Sequence, residues 1–110
     1  MSRHKQSIMS TQKTFGEHLK SLRENQGLPL RKIAAELDMD QSTLSKIERG
    51  ERLANSSLLP KIAEIFNVTE KSLKLILLSD QVAYQIMGES NTHEILKVAE
   101  QKIKYHRAQK

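Results

Sequence analysis

The chain has no cysteine. That excludes disulfide stapling and thiolate metal sites, and it fits a reducing cytoplasm. It has no tryptophan, and its aromatics are Phe15, Phe66, Tyr84 and Tyr105 alone. Proteins that hold single strands or unpaired RNA bases rely on aromatic stacking, and this chain has no such platform. Proline occurs only at Pro29 and Pro60, and the four glycines are scattered. None of them builds a phosphate-cradling loop. No run of about 18 apolar residues exists and the opening residues lack an apolar signal core. No membrane contact is expected, and the expected location is cytoplasmic. The histidines are His4, His18, His93 and His106. No two of them stand at metal-ligand spacing with a third ligand nearby. His18 reads as a helix-surface residue. No enzyme, metal or cofactor is expected.

What the chain does have is positive charge and helical periodicity. Its 110 residues carry 18 Lys and Arg against 13 Asp and Glu, a formal net charge of +5. The length suits one small domain plus an extension. A basic balance without stacking aromatics favours duplex nucleic acid as a partner.

The rest is organised around Leu30 to Gly50, LRKIAAELDMDQSTLSKIERG. Ile33, Ala34 and Leu37 recur at helical spacing, and Leu44 and Ile47 do so again. Two short helices are expected, about Leu30 to Leu37 and Gln41 to Arg49. Between them Asp38 stands where a left-handed residue is needed, a conformation that Asp tolerates less well than Gly. Asp40 is a good N-cap for the second helix. Ala34 is small enough for the two helices to cross closely. The second helix opens with Gln41, Ser42 and Thr43, and Lys46 follows on the same face about one turn on. Gln makes a bidentate pair with the edge of adenine, and Ser or Thr reaches bases or phosphates. Leu44 and Ile47 point the other way. Gln41, Ser42, Thr43 and Lys46 are therefore the expected base-contacting residues of a helix laid in a major groove.

This stretch, with GLPL before it and LLPKIAEIFNV after it, resembles the helix-turn-helix of the phage-repressor (Cro/C1, XRE) family. The resemblance covers roughly Phe15 to Leu78. It implies an all-α fold, with a five-helix lambda-repressor-like DNA-binding domain over residues 14–78. It also implies phosphate contacts from Arg31, Arg49, Arg52 and Asn55, with Glu51 opposing them. A structural ion pair between Arg23 and Glu48 follows in the same way, because both positions match the family pattern. Two residues depart from that pattern. Leu30 stands where a bracing Gln is common, and Pro29 where a Ser or Thr cap is usual.

Around this centre, residues 1–13 carry Arg3, His4, Lys5 and Lys13 with no acid and read as a flexible basic arm. Thr14 with Glu17 forms a capping box for a helix running to about Asn25, and Gly27 ends it. Another helix starts near Ser56, with Pro60 in its first turn. Thr69 with Glu70 opens the next, and Asn91 with Glu94 forms a second capping box. Leu73, Leu75, Ile76, Leu77 and Leu78 cannot share one face of a helix. The surplus apolar surface makes residues 79–110 a helical dimerisation extension, with Leu75, Leu78, Val82, Ile86, Ile95, Val98, Ala99 and Ile103 at the interface. The expected function is a sequence-specific regulator of transcription. It would bind double-stranded DNA as a homodimer on an inverted repeat and regulate its own gene. The alternative within the same family is an antitoxin whose C-terminal helices bind a toxin.

Overall fold

A computed structural model describes residues 13–109. The basic arm, apart from Lys13, lies outside the described residues. Those residues form six α-helices and one 3-10 turn, with no strand among them. The helices are α1 (Phe15–Asn25), α2 (Leu30–Glu36), α3 (Gln41–Glu48), α4 (Leu59–Phe66), α5 (Glu70–Ile86) and α6 (Thr92–Ala108). The 3-10 turn, Ser56–Leu58, precedes α4. The fold is all-α. The chain divides into two compact units, one up to Asp80 and one from Gln81 onward. No helix among the described residues is long and apolar enough to cross a membrane.

In the first unit most helix starts have a chemical cause. The Thr14 hydroxyl accepts from the Glu17 amide at 3.1 Å, and the Glu17 carboxylate accepts from the Thr14 amide at 3.0 Å. Asp80 adds a third acceptor, taking the Phe15 amide at 2.7 Å from 65 residues away in sequence. The free amides at the start of α1 therefore face two carboxylates, which also suits the positive end of the helix dipole. Asp40 accepts from the Thr43 amide at 2.8 Å and starts α3. The Thr69 hydroxyl accepts from the Ser72 amide at 3.1 Å and starts α5. Pro29 precedes α2 without any side-chain cap.

The ends of α2 and α3 each come one residue earlier than their apolar spacing suggests. Leu37 and Arg49 are C-caps rather than helical residues. The cause is the turn that follows. Asp38 takes a left-handed φ of 58° and Gly50 one of 78°. Each reversal lets amides beyond the helix reach back to carbonyls inside it, as Met39 does to Ala34 at 3.0 Å and Glu51 to Lys46 at 2.8 Å. The helix expected from Ser56 begins as the 3-10 turn, and its α-helical part starts only at Leu59.

The core of the first unit joins Phe15 and Leu19 of α1, Ile33 and Ala34 of α2, Leu44 and Ile47 of α3, Leu59, Ile62 and Phe66 of α4, and Leu73, Ile76 and Leu77 of α5. Leu75 and Leu78 stay outside it, 65% and 45% exposed. His18 is half-buried rather than a surface residue. Burial first, and nearby Lys13 second, hold its pKa below the usual histidine value.

The second unit consists of the end of α5 and all of α6. None of its described residues is fully buried, and only Ile86, Thr92 and Ile95 are half-buried. The expected Asn91–Glu94 capping box is not formed. Asn91 has ψ of 45° instead of an extended backbone, and its side chain accepts no amide of the first turn.

Gly16 marks a close approach of α1 to the end of α3. A Cβ there would collide with the Ile47 carbonyl oxygen and lie 2.8 Å from that of Glu48. Backbone atoms cannot swing aside as a side-chain tip can. Alanine at a helix position normally gains up to about 1 kcal/mol over glycine. Here the collision decides the sign. Gly16→Ala is expected to destabilise the chain by about 1–3 kcal/mol, the range for an overpacked core. The measurement is the urea midpoint at constant m-value. A midpoint equal to or above the parent's removes this account of Gly16.

Candidate nucleic-acid interface

Helix α3 is held by α1. Arg23 Nε donates to Glu48 Oε2 at 2.8 Å, and Arg23 Nη2 donates to Glu48 Oε1 at 2.9 Å. The fork of the guanidinium thus meets both carboxylate oxygens. Arg23 Nη1 donates to the Leu28 carbonyl at 3.0 Å, which ties the loop after α1 into the same contact. The two side chains are 12% and 5% exposed. The hydrogen bonds that Arg23 donates to Glu48 raise the Arg23 pKa above its already high ordinary value. Glu48 is the one polar residue fully buried among the described residues. Both its oxygens are satisfied, so burial leaves no unpaired charge.

With that side of α3 turned inward, its other side is available. Leu44 and Ile47 are buried, at 0% and 4% exposure. Gln41, Ser42, Lys46 and Arg49 are exposed, and Thr43 and Ser45 are half-buried. At 3.6 residues per turn, Gln41, Ser42, Ser45, Lys46 and Arg49 lie along one face. Ser42 donates its hydroxyl proton to Asp40 Oδ1 at 3.0 Å, so its oxygen lone pairs face outward as acceptors. Hydrogen bonds from Thr43, and then from Ser42, hold the Asp40 carboxyl below the usual carboxylate range. The cap on α3 is therefore ionised throughout the neutral range.

The surroundings of this face are mixed. Arg31, at the start of α2, and Arg52, in the loop after α3, are exposed. Asn55 spends its carbonyl oxygen on the Ser57 amide at 2.8 Å, which starts the 3-10 turn. Arg49 is engaged within the chain. Its Nε donates to Glu51 Oε2 at 2.8 Å, its Nη2 to Glu51 Oε1 at 3.3 Å, and its Nη1 to the Ser45 hydroxyl. Among the described residues no group of three or more His, Asp or Glu could hold a metal ion.

A family model described as Helix-turn-helix matches residues 19–73, half of the chain. The chain belongs to the helix-turn-helix family. It is of the Cro/C1 (XRE) type, whose members are DNA-binding transcriptional regulators rather than enzymes. Among solved structures, the restriction-modification controller protein C.AhdI from Aeromonas hydrophila is similar. It is 29% identical, with 54% of this chain and 86% of that chain covered and a TM-score of 0.49. No curated protein matches the chain.

Within the helix-turn-helix Gln41, Ser42 and Thr43 form the first turn of α3, Lys46 lies in its last turn, and Arg49 is its C-cap. Arg31, Arg52 and Asn55 lie on other elements. Two residues of this neighbourhood escaped the sequence reading. Ser45 stands on the exposed side and holds Arg49, a contact that only the i, i+4 spacing hinted at. Gly16 sets the approach of α1 to α3, and nothing in its local sequence distinguishes it.

The ion pair yields a direct test. Removing one partner of a buried pair leaves the other charge unpaired, at a cost of about 3–5 kcal/mol. Arg23 retains some exposure, so Arg23→Ala is expected near the lower end of that range by chemical denaturation. Arg23→Ala with Glu48→Gln should be less destabilised than Arg23→Ala alone, because the stranded charge is gone. A double variant at least as unstable as the single one would show that charge burial is not the cause.

Proposed function

We propose that the chain reads a specific duplex sequence with α3 and does so as a homodimer on an inverted-repeat operator. The observation that carries the first half is the two-sidedness of α3. Leu44 and Ile47 are sunk in the core while Gln41, Ser42 and Lys46 are exposed on a helix whose rear is fixed by Arg23. No core contact requires those polar residues, and their chemistry suits base edges. Gln41 offers a donor and an acceptor side by side, the pattern that adenine presents in the major groove. Ser42 offers an acceptor, Thr43 a half-buried hydroxyl, and Lys46 a donor for guanine. Arg31 and Arg52 supply phosphate contacts. Asn55 can add its amide donors, since only its oxygen is used as a cap.

The second half rests on the second unit. Val82, Leu96 and Val98 are each 47% exposed, Ile103 50% and Met87 65%. A shallow groove lies between Val82 and Ile86 on one side and Ile95, Leu96 and Ala99 on the other. Exposed apolar side chains gathered on one short pair of helices favour association. A single recognition helix reads only a few base pairs, whereas a two-fold dimer doubles the site with α3 copies about 34 Å apart or a multiple of that.

Both halves can be checked separately. Duplexes selected from a random pool define the preferred site. Gln41→Ala should cost about 1–3 kcal/mol on that site and relax preference at one base pair. Equal loss on random DNA would show that Gln41 is not a base reader. For assembly, light scattering on the full chain should give the mass of two copies. Val98→Glu with Ile103→Glu should halve that mass and weaken operator binding. A parent chain that is monomeric, or a double variant that remains dimeric, would exclude this surface as the dimer interface. A parent chain that stays soluble only with a second protein would favour the antitoxin reading instead.

A further inference from the structure

Glu51 stands at an electrostatically poor place. It follows Gly50 at the C-terminal end of α3, where the helix dipole disfavours an anion. Its amide is fixed by the Lys46 carbonyl at 2.8 Å, so the backbone holds the residue beside the exposed face. From there its carboxylate takes Arg49 through two of the guanidinium nitrogens, Nε at 2.8 Å and Nη2 at 3.3 Å. Ser45 holds the third. The Arg49 and Glu51 side chains are 54% and 55% exposed. An ion pair so wet contributes little to stability, which leaves its position unexplained by folding. Arg49 first, and Lys46 more weakly, hold the Glu51 carboxyl below its ordinary range.

A carboxylate in this place offers Arg49 the same planar, bidentate partner that a phosphate would. Resting on the proposed DNA-reading role of α3, we propose that Glu51 is a specificity-determining residue that withholds Arg49 from DNA until α3 is fully seated. On a wrong sequence the helix stands off the groove and Arg49 keeps its internal partner. On the right sequence a backbone phosphate reaches the guanidinium and displaces the Glu51 carboxylate, which turns to solvent. No bond is made or broken in the exchange. Arg49 thereby adds a phosphate contact chiefly to the specific complex, and the acidic residue lowers affinity for all other sequence.

The test compares the full chain with Glu51→Gln, Arg49→Ala and the double variant. Each is measured on a selected operator duplex and on a random duplex over a range of salt. Glu51→Gln frees Arg49 and should bind random duplex about three- to tenfold tighter, with a salt slope steeper by about one unit. Operator affinity should rise less, so the ratio between the two falls. The gain on random duplex should vanish when Arg49→Ala is added. An unchanged affinity for random duplex, an equal gain on both duplexes, or a gain that persists without Arg49 would each overturn the proposal. Failure of the parent chain to bind any duplex would instead overturn the DNA reading on which it rests.

Discussion

Two contacts along one face of α1 set the position of α3. At Gly16 the backbone of α1 lies against the last carbonyls of α3, closer than any Cβ would allow. Seven residues later, Arg23 grips Glu48 through two hydrogen bonds. Seven residues are two turns of helix, so both contacts fall on the same side of α1. The first sets how near the helices come, and the second sets how α3 is rotated about its own axis. Neither is chiefly a source of stability. A buried ion pair roughly offsets its own desolvation, and a glycine in a helix costs conformational entropy. Their value lies in geometry. With Glu48 fixed inward, Ser42 and Lys46 point away from the core, and Gln41, two turns before Glu48, is exposed as the first residue of the helix.

The features legible in the sequence are those whose chemistry is local. Thr14 with Glu17, Asp40 before α3 and Thr69 before α5 each cap a helix within three residues, so the pattern is contained in the string itself. Asp38 in a left-handed turn is of the same kind. Asn91 shows the limit of that reasoning. It has the right residue at the right spacing from Glu94, yet its backbone does not take the extended conformation that a cap needs. Asp80 shows the opposite case. Nothing near it suggests a cap, and it serves one for α1 because α5 brings it there. Gly16 and the half-buried His18 also depend on which helix lies against them. Arg23 with Glu48, separated by 25 positions, was accessible only through resemblance to a family pattern.

The exposed side of α3 is also more occupied than its composition suggests. Ser42 already serves the Asp40 cap, Arg49 is held by Glu51 and Ser45, and Asn55 starts the turn after the loop. Counting basic residues would therefore overstate the charge offered to a phosphate backbone. Lys46, Arg31 and Arg52 are exposed. The formal charge of +5 describes long-range attraction for DNA, whereas the hydrogen bonds on this face govern what happens at contact.

The contrast between the two units carries a consequence for regulation. The first unit has its own core, and its helices would keep their packing as a single copy. The second has no fully buried residue among those described. In proteins most of a helix's stability comes from covering its apolar side rather than from propensity, and α6 has no such cover within one copy. Its basic last turn, with His106 and Arg107, favours the helix dipole but adds only tenths of a kcal/mol. On the proposed dimer the missing cover comes from a second copy, so helical order in the second unit and dimerisation are one equilibrium. That equilibrium depends on chain concentration. Two copies of α3 joined in this way gain affinity together, and a separated copy loses both its partner and the order of its second unit. On the proposed dimer, occupancy of an inverted repeat would rise more steeply than in proportion to concentration.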